Sequence, residues 1–263
     1  MGSGTTGGSR TPPAKARPRR GVRVSLLDGF ELKYEERVVE VPLSVQRLVA
    51  FLALHDRSLR RSFVSGSLWP DTTDEHASAN LRTALWRLHR VGGNPVQSSR
   101  SHLWMSPWVS VDVRKTGQWA GRLIDDPEVG ATSDFAIRSL SSDLLPDWYE
   151  DWVLIERERF HELRLHALEA LAAHLIAVGK SSHAIEAAQA AIAGDPLRES
   201  AWAVLIRAHF AEGNVGEAFR LHEAYQRRVA EELGVEPSEE FKGLIDSFTT
   251  SRVMNRVAAR EGA

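Results

Sequence analysis

The sequence predicts a mainly α chain with a small β component: a winged helix-turn-helix followed by an all-α, tetratricopeptide-like domain. Three observations carry this. Short alternating apolar runs open the chain at residues 22–34. Three helical patterns then end at Gly92-Gly93 and lead into an apolar hairpin. The C-terminal half repeats itself at a spacing of 34 residues.

Val22, Val24 and Leu26 alternate with Arg23 and Ser25, the period of a half-buried strand. Asp28-Gly29 is a hairpin signal, after which Phe30, Leu32 and Tyr34 resume the alternation. Val39 and Val41 suggest a third short strand, closed by Pro42. Ser44 can cap the next helix, whose apolar face is Leu48, Phe51 and Leu52. A shorter helix runs near residues 60–68 and stops before Pro70. Thr72 and Glu75 match a capping box, so a third helix starts there and runs to about Arg90. Val96-Gln97, a polar turn at residues 98–101 and residues 102–105 read as a hairpin, and residues 108–113 as a further strand. A short helix followed by a capped longer one is the helix-turn-helix, here of the OmpR-like, response-regulator type.

Beyond this the pattern is helical: residues 151–177, 182–193, 198–211 and 216–233. Gly179 and Gly213 are 34 apart, as are Ala184 and Ala218, Ala177 and Ala211, and Leu171 and Leu205. That is the period of tetratricopeptide repeats. The expected division is a disordered basic arm over 1–21, the winged domain over 22–113, the helical domain over 114–248 and a tail over 249–263.

With 43% hydrophobic and 26% charged residues the composition is that of a globular protein, with no apolar run of membrane-spanning length. There is no cysteine, hence no disulfide, no Cys-ligated zinc and no thiol nucleophile. A cytoplasmic, nucleoid-associated protein without contact to a membrane is expected. The net charge of −2 conceals an asymmetry. Residues 1–21 carry five cations and no acid; residues 41–108 carry eight against four, and residues 114–263 seventeen against twenty-five. A basic front and an acidic back imply different partners at the two ends.

On a helical wheel of about 100° per residue, Ala77, Leu81, Ala84, Leu85 and Leu88 share one side of the third helix. Arg82, Thr83, Trp86, Arg87 and Arg90 share the other. Arginine can bind guanine O6 and N7 bidentately in the major groove, and Thr83 could meet a thymine methyl. A solvated basic face is the plain alternative; the position in a helix-turn-helix before a wing favours double-stranded DNA. Trp86 either packs on a thymine methyl or sugar or anchors a domain interface. Trp69 either donates its indole N–H to a phosphate or closes the core. Gln46 and Arg47, and Arg60 and Arg61, lie at helix starts and suit the DNA backbone, while Arg100 and His102 belong in or beside the wing.

Two enzyme-like fragments fail on geometry. His161 and His166 are five apart, about 140° around a helix, and cannot share a metal. Gly179-Lys180-Ser181 follows a helix and lacks the earlier glycine of a phosphate loop. No cofactor or metal is called for. A protein-interaction scaffold without specific DNA binding remains the alternative: it explains the repeats but leaves the basic helix without a role.

Taken in order, these residues resemble the SARP family, the antibiotic regulatory proteins of actinobacteria. The likeness runs over residues 22–244. It rests in the first half on Leu27-Asp28-Gly29-Phe30-Glu31-Leu32, Gln46-Arg47-Leu48, Leu68-Trp69-Pro70-Asp71 and Arg87-Leu88-His89-Arg90. In the second half it rests on Trp152-Val153-Leu154-Ile155-Glu156-Arg157-Glu158-Arg159, Asp195-Pro196-Leu197-Arg198-Glu199-Ser200 and Glu231-Glu232-Leu233-Gly234-Val235-Glu236-Pro237. The resemblance implies an activator of a secondary-metabolite gene cluster that binds direct repeats near the −35 promoter element. It also implies recruitment of RNA polymerase holoenzyme through its sigma factor, with a homodimer on DNA left open. The chain departs from the family pattern at Ser101-His102-Leu103-Trp104, where relatives carry Gly-Tyr, and at Trp86, where they carry a smaller residue.

Overall fold

The structure is a computed structural model that describes residues 21–126 and 134–246. Expectations for residues 1–20 and 249–263 lie outside the described residues. Strands β1 (Val22–Ser25) and β2 (Glu31–Tyr34) pair antiparallel, Val22 facing Tyr34 and Val24 facing Leu32. Asp28 and Gly29 make the turn with positive φ, as their sequence signal requires.

The third strand is not where the apolar pattern placed it. Strand β3 is Arg37–Val38, and Val39 and Val41 lie beyond it. The cause is a two-residue turn in which both Glu35 (φ 49°) and Glu36 (φ 65°) are left-handed, so that Tyr34 pairs with Arg37. Such a turn normally advertises itself with Asn-Gly; here the Arg23–Glu36 ion pair lies across it and the sequence gives no sign.

Helix α1 (Leu43–Leu54) is buried through most of its circumference, from Val45 to Ala53. Its start also differs from expectation: Pro42 and not Ser44 is the N-cap, its carbonyl accepting from the Gln46 N–H at 3.0 Å. After β4 (Leu59–Arg60) come α2 (Arg61–Leu68) and α3 (Asp74–Val91). The α3 cap is Thr73, one residue after the expected Thr72; its hydroxyl accepts from His76, while the Thr72 hydroxyl donates back to the Trp69 carbonyl. Gly93 (φ +72°) ends the turn under β1 and β2, where a Cβ would come within 2.9 Å of Val22 and Tyr34 side chains.

Strands β5 (Val96–Ser98) and β6 (His102–Met105) form the hairpin, Val96 facing Met105, and β4 adds to the β6 edge to make a three-stranded sheet. The last strand, β7 (Val109–Val111), leaves this hairpin and runs parallel to β1, giving a second sheet of order β3-β2-β1-β7. The expected strand over 108–113 is therefore shorter. Helix α4 (Asp112–Asp125) starts at once, held by Asp112, whose carboxylate accepts the backbone N–H groups of Leu26, Leu27 and Val113. Burial pushes the Asp112 carboxyl above its usual value, and these donors pull it back.

Helices α5 (Asp134–Ser141), α6 (Asp151–Ala177), α7 (Ser181–Gly194), α8 (Glu199–Glu212), α9 (Val215–Leu233) and α10 (Glu239–Lys242) complete the described chain. The repeat is physical. Gly179 and Gly213 both turn with φ near +80° (73° and 86°), Ala184 and Ala218 are both fully buried, and Leu171 and Leu205 both lie in the core. Small residues at Ala184, Ala187, Ala188 and Ala191 let α7 sit close against α6 and α8. The signature residues of this half are structural bolts. Arg198 reaches Glu169 at 2.6 Å and Glu162 at 3.0 Å across to α6, and Glu199 accepts from the backbone and hydroxyl of Ser238 ahead of α10. Gly179-Lys180-Ser181 is the α6–α7 turn, and His161 and His166 are held by Arg164 and Arg198.

The winged part does not close its own core. Leu144, Leu145, Val153 and Phe160 belong to the same buried cluster as Val24, Leu48, Phe51 and Leu85. Trp152 meets Phe51 edge-on at 5.1 Å, and Trp148 in turn meets Trp152 at 6.2 Å. Arg114 donates to the carbonyls of Leu52, Ala53 and His55 at the end of α1 and pairs with Asp56. Arg157 caps the loop carbonyls of Leu144, Leu145 and Trp148 in the same manner.

Candidate nucleic-acid interface

Helix α3 forms because its start is capped, its first turn is acidic and its apolar residues recur at helical spacing. Its buried residues are Ala77, Leu81, Ala84, Leu85 and Leu88, the face the wheel assigns to the core. Arg82, Thr83, Trp86, Arg87 and Arg90 are all exposed on the other. Arg82 and Arg87 make no ion pair or hydrogen bond with any described residue. The Arg90 guanidinium lies over the Trp86 ring, 4.9 Å from its centroid. Trp86 is 58% exposed, so among the described residues it is not anchored in an interface. Thr83 is exposed and donates its hydroxyl to the Ala79 carbonyl at 3.0 Å.

The other singled-out residues divide. Arg60 is exposed on β4 beside His102 of β6, and Arg100 is exposed in the β5–β6 turn. Arg61 is tied to that turn: its Nε donates to the Ser99 carbonyl and its backbone N–H to Ser101. His102 is bonded to Ser101 and, through its backbone, to Ser99. The start of α2 and the wing tip are thus one unit. Gln46 donates to Val41, and Arg47 pairs with Glu150 at 2.9 Å, which directs it toward the helical half. Trp69 is half-buried and packs on the winged core.

Sequence reasoning passed over Asn80, exposed on α3 one turn before Thr83 and two before Arg87. The signal was the helical period itself: 80, 83 and 87 share a stripe. An asparagine there can address adenine N6 and N7. It also passed over Glu150, because an ion pair across a hundred residues leaves no local trace.

In this chain a winged helix-turn-helix precedes stacked helix pairs, so a basic helix face and a helical repeat sit in separate parts of one molecule. Residues 119–247 match the family model described as the bacterial transcriptional activator domain. The regulatory protein AfsR of Streptomyces griseus is 25% identical over 213 residues, 75% of this chain and 21% of that protein. The chain thus spans about a fifth of this relative's length. Among solved structures, EmbR of Mycobacterium tuberculosis, in complex with a low affinity phosphopeptide, matches with a TM-score of 0.69 at 17% identity. That match covers 88% of this chain and 65% of EmbR, and at such identity it speaks for the fold. The C-terminal half therefore carries a bacterial transcriptional activator domain, and the chain as a whole is similar to regulators of the SARP type. Among the described residues no helix is long and apolar enough to cross a membrane.

Proposed function

We propose that the protein is a DNA-binding activator, with no catalytic step of its own, that docks α3 in the major groove. It sets the β5–β6 turn, with Arg60, Arg61, Arg100 and His102, against the neighbouring backbone. The observation that carries this is the outward face of α3: arginines 82, 87 and 90 with no acid among them, one side of a helix whose other side is core. Asn80, Arg82, Arg87 and Arg90 are the base-reading candidates. The winged unit, placed at 22–113, binds; the helical unit, placed at 114–248, with its excess of acids, gains nothing from lying on a polyanion and recruits protein. Through its family the protein is assigned direct repeats near the −35 promoter element, RNA polymerase holoenzyme with its sigma factor, and a secondary-metabolite gene cluster. Two copies side by side on the repeats, and a place on the nucleoid in the cytoplasm, follow from the same assignment. The basic arm over 1–21 supplies further cations for phosphates.

Footprinting of the full-length protein on the upstream regions of its neighbouring genes tests this. Protection of two direct repeats one helical turn apart, lost steeply as salt rises, is the expected result. Retention of purified polymerase holoenzyme on the protected promoter tests recruitment. No protection of any duplex at low salt leaves only the scaffold alternative.

A further inference from the structure

We propose that Trp86 serves recognition through Arg90: its indole is the platform that holds the Arg90 guanidinium for one guanine, and it does not itself touch a base. This rests on α3 being the helix that faces DNA. The two residues are one turn apart on the same exposed stripe, with the guanidinium carbon 4.9 Å from the ring centroid.

A guanidinium placed over a ring can pack through its flat face, while its N–H donors lie in its plane and stay available at the edge. Stacking on an indole and bidentate bonding to guanine O6 and N7 are therefore compatible in one arginine. Arg82 and Arg87, with no partner among the described residues, must surrender rotamer freedom when they dock. Arg90 has given up part of it already, the condition that preorganisation requires. The ring face that Arg90 covers is closed to a thymine methyl or a sugar. At 58% exposure the indole also gains little from the core, so its size is not explained by packing.

The test uses the full-length protein with Trp86→Ala, Trp86→Phe, Arg90→Ala and the double alanine variant. Each is measured for affinity and for base preference on a randomised duplex library. Trp86→Ala and Arg90→Ala are expected to relax preference at the same guanine. Trp86→Ala should bind roughly two- to fivefold more weakly, which is the ~0.5–1 kcal/mol of an exposed cation–π pair at about 1.4 kcal/mol per factor of ten. Trp86→Phe keeps a ring face and should recover most of the loss, and the double variant should bind no worse than Arg90→Ala alone. Relaxation at a different base pair, or losses that multiply, would mean that Trp86 contacts DNA itself and overturns the proposal. So does an unchanged preference in Trp86→Ala, or an Arg90→Ala loss that is equal on random duplex. If the unmodified protein enriches no sequence at all, the DNA-binding assignment of α3 falls first.

Discussion

Both oxygens of the Asp112 carboxylate accept the Leu26 N–H, at 2.9 and 3.0 Å, fastening the first residue of α4 to the end of β1. The same group takes the N–H of Leu27 at 3.1 Å. Asp112→Ala leaves these donors without an acceptor beside a fully buried Leu26 side chain. A loss of about 1–3 kcal/mol is expected. It should appear as a lower urea midpoint at unchanged slope, and a wild-type midpoint would show that water replaces the carboxylate at no cost.

Arg114 stands at the C-terminal end of α1, where three carbonyls converge on its guanidinium. A cation there answers both the unpaired carbonyls and the helix dipole. Arg114→Ala should cost about 1.5–3 kcal/mol, as for hydrogen bonds to a charged group. Arg114→Lys should restore only part of it, because an ammonium cannot span three acceptors as a planar fork does. Equal melting temperatures for the two variants would argue that only charge matters.

Cutting the chain after residue 113 severs α4 in its first turn and removes Leu144, Leu145, Val153 and Phe160 from the winged core. The fragment is expected to be loosely packed, with strong binding of a hydrophobic dye and a broad melt. A fragment ending near residue 177, which keeps α4 to α6, should melt cooperatively. A sharp transition in the shorter fragment would show that the winged part is self-sufficient.

Arg82→Ala and Arg87→Ala should each weaken specific binding by about 1–3 kcal/mol if they read guanine. Binding to random duplex should change less. Equal losses on both duplexes would make them phosphate contacts and lower the salt slope by about 0.9 each.

Tyr225 donates its hydroxyl to the Leu197 carbonyl at 3.1 Å. Burial, with Glu199 and Asp195 nearby, pushes its phenol up to about 12 from a usual value of 10.0. Tyr225 should give a late step in an absorbance titration, and Tyr225→Phe should remove that step. A raised folded-state value means the neutral phenol is favoured by folding. Its contribution is full below pH 10.0 and is lost as pH climbs toward about 12. A wild-type titration without a late step would contradict the packing of α9 on the α7–α8 turn.

The sequence by itself determined what local physics writes in periods and turn chemistry. The two faces of α3, the 27 residues of α6 and the repeat marked by Gly179 and Gly213 were legible because each depends on neighbours within a turn or two. Only the tertiary structure decided the rest. The Glu35-Glu36 turn sets β3 two residues earlier than the apolar pattern, against its own residue preferences, in the register that pairs Tyr34 with Arg37. Arg47 looked like a cation for phosphate until Glu150 came within 2.9 Å of it. The winged core looked complete until Leu144, Leu145 and Trp152 closed it from the far side of the chain. Burial and ion pairing are properties of residues that meet in space, and spacing along a chain carries no record of contacts a hundred residues apart.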